Sequence, residues 1–116
     1  MSESIAPLRL IETEPGSHSL LLDAGSTKVD QTVDELGHEA NGYFWEGIAQ
    51  LLVQLEAPEL DGRFDYDPEG SMFVAYGEDR AALEKLGVLM AAVADDPARM
   101  TNLVQRAKEI DFEFDD

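Results

Sequence analysis

Apolar and polar residues alternate with two different periods along this chain, and the longest helical pattern lies near its middle. Residues 41–56 carry apolar side chains three or four positions apart, as on one face of an α-helix. Asn41 suits an N-cap, because its side-chain oxygen can accept a hydrogen bond from a first-turn N–H, and Pro58 ends the helix. We predict a central helix over Asn41–Glu56 with an apolar stripe of Phe44, Ile48, Leu51, Leu52 and Leu55, and with Trp45 at its edge.

A glycine interrupts this helical pattern. Gly47 costs a helix about 1 kcal/mol relative to alanine, so its presence suggests that another backbone approaches closely there. The aromatic cluster at 43–45 is interpreted as core packing, since aromatic side chains are first of all large apolar groups.

The first predicted hairpin precedes this helix. Its strands are Leu8–Glu12 and His18–Leu22, and Pro15-Gly16 between them fits a type II turn. Because that turn matches the twist of paired strands poorly, we expect a loop longer than two residues. The consecutive leucines 20–22 predict a strand that is covered on both faces.

The second predicted hairpin follows the helix, with strands Phe64–Asp67 and Ser71–Tyr76 around a Pro-Glu-Gly turn. Pairing Asp67 with Ser71 gives one apolar face, expected against the central helix, that carries Phe64, Tyr66, Met72, Val74 and Tyr76. The same register turns Asp65, Asp67, Phe73 and Ala75 to the other side. The predicted core therefore comprises Phe44, Trp45, Ile48, Leu52, Leu55, Phe64, Tyr66 and Val74.

Three further helices complete the predicted fold. A short one spans Asp30–Leu36 and stops at Gly37, and Asp79 caps a longer one over Arg80–Ala94. Asp96-Pro97 starts the last helix, whose stripe is Met100, Leu103, Val104, Ala107 and Ile110. The pattern predicts a single α+β domain over residues 1–116, with an antiparallel sheet of two hairpins covered by helices in the order β-β-α-β-β-α-α. The ends, 1–6 and 111–116, are expected to fray, although the alternation at 111–116 also fits a short edge strand.

Charge narrows the possible partners. The 116 residues include 25 acidic and 8 basic ones, which gives a net charge of −17. Nucleic acid and anionic membranes are poor partners for such a chain, because both attract clusters of Lys and Arg. A protein with a basic site is the complementary partner. The chain has no Cys, no apolar run of membrane-spanning length, and no basic segment followed by an apolar run at its start, so neither a disulfide nor a signal peptide is expected.

Candidate chemistry is sparse. Residues 65–70 place acids and a glycine as an EF-hand calcium loop does, but Tyr76 stands where that loop needs a bidentate glutamate. His18 and His38 have no metal-ligand spacing, and Ser17 and His18 would point to opposite faces of a strand. We expect no bound metal, no cofactor and no catalytic residues. A small carboxylate-rich enzyme or metal-dependent module of unknown substrate stays open as the alternative, because acids are abundant throughout the chain.

The acids are densest in one segment. Within fourteen residues, on the end of the central helix, the following loop and the second hairpin, lie Glu56, Glu59, Asp61, Asp65, Asp67 and Glu69. Such a run forms either a solvated face or a docking surface for a basic site on another protein.

Three segments resemble the immunity protein 51 family. They are residues 10–22, the stretch Gly37–Gly47 with its Asn-Gly-Tyr-Phe-Trp-Glu sequence, and Phe64–Tyr76. The resemblance extends from about Leu8 to the last helix. It implies a small cytoplasmic bacterial protein that binds and neutralises a cognate polymorphic toxin domain, often a nuclease, without catalysis or cofactor. It brings no established toxin-contact residues, and the sequence leaves the toxin's identity, the mode of inhibition and the oligomeric state open.

Overall fold

The computed structural model describes residues 5–25 and 27–114, which form four strands and four helices. The strands are β1 (Arg9–Glu14), β2 (Ser17–Asp23), β3 (Asp65–Tyr66) and β4 (Met72–Gly77). The helices are α1 (Asp30–Glu35), α2 (Gly42–Glu56), α3 (Arg80–Ala94) and α4 (Pro97–Glu109). A single 3-10 turn over Pro58–Leu60 follows α2. The α+β class and the order of elements predicted from the sequence are confirmed.

The four strands make one antiparallel sheet in the order β1-β2-β4-β3. Helix α2 packs on β4, and α3 packs across β1, β2 and β4. Helix α4 packs behind them, against α1, α2 and α3. The core therefore lies between the inner face of the sheet and the helices.

Helix α2 begins and ends where its sequence indicates. The Asn41 side-chain oxygen accepts a hydrogen bond from the Phe44 N–H at 2.9 Å, and the helix ends at Glu56, just before Pro58. Phe44, Trp45, Ile48, Leu51 and Leu52 are fully buried, whereas Leu55 is only partly buried. The Trp45 indole N–H finds no hydrogen-bond acceptor among the described residues. A buried N–H without a partner is unfavourable, so Trp45 contributes through the packing of its ring.

Helices α3 and α4 are capped by the aspartates that precede them. The Asp79 carboxylate accepts from the Ala82 N–H at 3.1 Å, and the Asp96 carboxylate accepts from the Ala98 N–H at 3.0 Å. The apolar stripe of α4 faces the core as predicted, except that Ile110 follows the end of the helix and is 40% exposed. Helix α3 buries Leu83, Leu86, Met90 and Val93.

The loop of the first hairpin is shorter than predicted. Strand β1 ends at Glu14 and β2 begins at Ser17, so two residues connect them. A β-bulge at Thr13, between the pairs Glu12–His18 and Glu14–Ser17, makes this short loop possible because a bulge increases local strand twist. The prediction for the leucine run was also wrong, since Leu20 and Leu22 are fully buried but Leu21 lies half-exposed on the outer face.

The register of the second hairpin differs from the predicted one. Asp65 pairs with Tyr76 and Tyr66 pairs with Ala75, which is three residues away from the register that pairs Asp67 with Ser71. Because side chains alternate along a strand, an odd shift turns β4 over relative to β3. Tyr66, Phe73 and Ala75 therefore face the helices. Val74 and Tyr76, predicted on the inner side, lie on the outer face of the sheet beside Asp65.

Close packing occurs at both glycines near the start of α2, for different reasons. A side chain on Gly47 would overlap the ring of Phe114, so the approaching group is an aromatic side chain and the predicted backbone contact was wrong. A backbone does approach Gly42, where a methyl group would overlap the Met72 carbonyl. Residues 111–114 form no strand. Phe114 stacks on Phe44 with ring centroids 4.8 Å apart, and residues 1–4, 26, 115 and 116 lie outside the described part of the chain.

We predict that Trp45→Ala lowers the free energy of unfolding by roughly 3 kcal/mol, because truncating a fully buried aromatic side chain leaves a cavity. Urea denaturation followed by far-ultraviolet circular dichroism measures this change. Tyr43→Ala is the matched control, since it removes a 41% exposed ring from the same helix and should cost less than about 1 kcal/mol. An unchanged melting temperature for Trp45→Ala would contradict the core position of Trp45.

Candidate functional site

All six acids predicted to form a docking surface are exposed, but the structure separates them into two groups. Glu56 ends α2 and pairs with Arg99 of α4, while Glu59 of the 3-10 turn pairs with Lys85 of α3. The Lys85 ammonium, as a hydrogen-bond donor, is the main cause that lowers the pKa of the Glu59 carboxyl, and a backbone hydrogen bond adds to the effect. The charges of this group are therefore compensated by cations of the helical layer.

The other four acids form no ion pair with any residue that the structure describes, and they follow β3 and its flanking loops. We call Asp61, Asp65, Asp67 and Glu69 the acidic edge. Asp65 lies directly opposite Tyr76, and the Asp67 N–H donates to the Val74 carbonyl at 3.0 Å. The Glu69 N–H donates to the Met72 carbonyl at 2.8 Å. Because β3 is an edge strand, Asp65, Asp67 and Glu69 lie along one border of the sheet, and Asp61 lies in the loop that precedes it.

A cleft of about 540 Å³ lies between α2 and the acidic edge. Among the described residues, its lining combines amide, apolar and aromatic groups with one carboxylate: Gln50, Val53, Gln54, Pro58, Asp61, Tyr66 and Phe112. Burial raises the pKa of the Tyr66 hydroxyl well above its ordinary value, and the negative charges of Glu46 and Asp61 raise it further. The phenol is therefore held in its neutral form, as a hydrogen-bond donor and acceptor.

The observed pairing of β3 with β4 also places on the outer face of the sheet residues that sequence reasoning missed as surface residues. On the side of the sheet away from the helices, Ile11 is 42% exposed and Tyr76 is 43% exposed. Leu21, Met72 and Val74 lie half-buried between and beside them. We call these five residues the outer sheet face. The alternation within 72–76 was visible in the sequence, but the assumed pairing directed the wrong set of side chains towards the core.

The two histidines lie in separate surroundings. His18 is buried on the inner side of β2. The His38 ring packs with the rings of Phe44 and Phe114, at centroid distances of 5.4 and 4.9 Å. Neither lines the cleft beside Tyr66. Across residues 5–25 and 27–114, no three His, Asp or Glu side chains are grouped closely enough to share a metal ion. The surface features of the described chain are therefore its exposed carboxylates, the cleft beside α2 and the outer sheet face.

Comparison with protein families tests the resemblance noted for residues 10–22, 37–47 and 64–76. The profile of the immunity protein 51 family matches residues 8–109, from the start of the first hairpin to the end of α4. The chain belongs to the immunity protein 51 family. Membership implies an immunity protein directed against a toxin, which suggests an inhibitor acting by binding.

Neither a search of curated proteins nor a search of solved structures finds a match. None of the helices within the described residues combines the length and the apolar character that crossing a membrane requires.

We predict that Tyr66 makes the stability of the protein fall at alkaline pH. The folded-state pKa of Tyr66 is raised above its value in the unfolded chain. Its contribution to the free energy of unfolding is therefore complete below the unfolded pKa of roughly 10. The contribution is lost as pH rises towards the folded pKa, because the unfolded chain releases the proton first. Urea denaturation at a series of alkaline pH values should show a smaller decline for Tyr66→Phe than for the wild type. Identical declines in the free energy of unfolding for both proteins would refute the assignment of this effect to Tyr66. Phenolate absorbance checks that the variant lacks one tyrosine that titrates at high pH.

Proposed function

We propose that this protein binds a cognate toxin domain in the bacterial cytoplasm and neutralises it, with the acidic edge directed at a basic site of the toxin. The observation that carries the proposal is the set of four exposed carboxylates on β3 and its flanking loops that have no cation partner among the described residues. Family membership supplies the toxin as the class of partner.

The distribution of basic residues supports this choice of surface. Between Lys28 and Arg80 the sequence has a single basic residue, Arg63, and its guanidinium lies 3.8 Å from the Asp79 carboxylate. The hairpin of β3 and β4 has no Lys or Arg at all. Negative potential is therefore reinforced around the acidic edge, and such a potential accelerates encounter with a positively charged partner.

Within this proposal, the six acids differ in whether a cation lies beside them. Glu56 and Glu59 each face a cation, so their fields are largely cancelled at a distance. Asp61, Asp65, Asp67 and Glu69 are left to attract the partner. A nuclease is one toxin class that this surface would suit, because a nuclease holds positive charge where it binds phosphate, and carboxylates can occupy that site in place of the phosphates.

We expect the combined change Asp65→Asn, Asp67→Asn and Glu69→Gln to leave the fold intact, since exposed acids contribute little to stability. It should slow association with the toxin, because charges at the border of an interface act mainly through steering. Added salt should weaken wild-type association more than that of the variant. The measurement is binding kinetics at two ionic strengths, with the cognate toxin domain as the partner and a growth-rescue assay alongside.

A matched control separates the position of these charges from their number. Asp34→Asn, Glu35→Gln and Asp111→Asn also remove three exposed negative charges, from α1 and the end of α4. We expect this control to associate nearly as fast as the wild type. If both triple variants slow equally, net charge alone governs the encounter and the acidic edge is not the docking site. Equal association rates and equal salt dependence for the wild type and both triple variants would show that these charges do not govern binding.

A further inference from the structure

The outer sheet face is built from rows of side chains that cross the strands. One row runs Ile11, Ser19, Tyr76 and Asp65 across β1, β2, β4 and β3 in turn. The neighbouring row pairs Leu21 of β2 with Val74 of β4 and begins at Arg9 of β1. Apolar side chains thus occupy the middle of the face, and acids occupy its β3 border.

Two exposed apolar side chains lie near each other on this face. The described residues include four large apolar side chains that are 40–43% exposed, Ile11, Tyr43, Tyr76 and Ile110. Two of them, Ile11 and Tyr76, belong to the same row, with only the small side chain of Ser19 between them. Adjoining exposed apolar groups of this kind mark interaction surfaces more often than isolated ones do.

We infer that the outer sheet face is the apolar centre of the toxin interface, with Tyr76 as its principal anchor and the acidic edge as its border. The inference rests on the proposed function and deepens it. The occupant is a toxin surface whose own apolar side chains lie over β2 and β4, and whose basic residues lie over β3. In protein interfaces, an aromatic side chain contributes most to affinity when it lies in the buried centre and polar residues form the border.

Charge decides between this occupant and a second copy of the chain. Two copies meeting through this face would bring together two bodies that each carry a net charge of −17. Like charges on facing surfaces oppose association, so self-pairing is disfavoured. A basic toxin gains from the same charges. Asp65 lies directly opposite Tyr76, so a partner cation can meet the carboxylate while an apolar side chain contacts the ring.

The border at β1 differs from the border at β3 in carrying a cation. Arg9 lies at that end, 4.0 Å from the Asp23 carboxylate, and offsets part of the negative charge that Asp23, Glu12 and Glu14 bring there. The acidic edge has no such cation within the described chain. We therefore place the toxin's basic residues over β3.

The apolar centre and the acidic border should act on different rate constants. Border charges govern encounter and hence association. A buried aromatic anchor governs how long the complex lasts, because most affinity differences at a formed interface arise in dissociation. Changes at Tyr76 should therefore alter dissociation with little dependence on salt, whereas changes at Asp65 and Asp67 should alter association with strong dependence on salt.

The test compares two pairs of substitutions matched in residue type and exposure. Tyr76→Ala is paired with Tyr43→Ala, at 43% and 41% exposure, and Ile11→Ala is paired with Ile110→Ala, at 42% and 40%. The probe is the cognate toxin domain, in a variant that has lost its toxicity. We expect Tyr76→Ala to weaken binding by about 30-fold or more, mainly through faster dissociation. Ile11→Ala should weaken binding by several-fold, and the two controls by less than about threefold.

Three results would overturn the inference. Unchanged dissociation for Tyr76→Ala and Ile11→Ala would do so, and if the acidic-edge variant still slows association, the proposed function stands without this apolar centre. A larger loss for Tyr43→Ala or Ile110→Ala would place the apolar contact on the helical layer. A wild-type dimer in sedimentation that Tyr76→Ala dissociates would assign the face to self-association. A wild type that binds no toxin and rescues no growth would instead refute the proposed function itself.

Folding is checked separately for each variant. Circular dichroism and melting temperature establish that the variants are native before kinetics are compared. If Tyr76→Ala does not fold, Tyr76→Thr replaces it, because threonine keeps a strong preference for strands while removing the ring.

Discussion

The pairing of Asp65 with Tyr76 is the constraint on which both sides of this sheet depend. It directs Phe73 and Ala75 into the core, where both are fully buried, and it turns Tyr76 outward. A shift by an odd number of residues would expose Phe73 and bury the wrong side chains under α2 and α3. The core and the candidate interface are therefore two consequences of one register. Neither could be changed without the other.

Helix α2 helps to hold that register through its first residue. The Gly42 N–H donates to the Gly70 carbonyl at 2.9 Å, and Gly42 has no side chain that would collide with the Met72 carbonyl. The start of the helix thus packs directly on the turn between β3 and β4. This contact joins residues about thirty positions apart, through backbone atoms. Hydrophobic periodicity carries no signal for it, which explains why the turn sequence alone led to a register that was wrong.

Local signals in the sequence predicted most of the fold. Asn41, Asp79 and Asp96 mark the starts of three helices, because a capping side chain acts within its own first turn. Features that depend on distant contacts were less accessible, such as Phe114 packing against Gly47. The acidic edge was predicted in part, since density of charge is visible in a sequence. The ion pairs that compensate Glu56 and Glu59 come from α4 and α3, forty-three and twenty-six residues away, and only the folded chain shows them.

The few basic residues are distributed unevenly, so the helical layer and the β3 border of the sheet differ in charge. Of the eight, five belong to α3 and α4: Arg80, Lys85, Arg99, Arg106 and Lys108. The hairpin of β3 and β4 has none, so the β3 border of the sheet is more negative than the helical layer. In the field of a basic partner, an asymmetric charge distribution turns the molecule as well as attracting it. The side presented first would be the acidic edge, and the exposed row of Ile11 and Tyr76 adjoins that edge. Orientation by charge would thus bring the apolar side chains into contact range before any of them is desolvated.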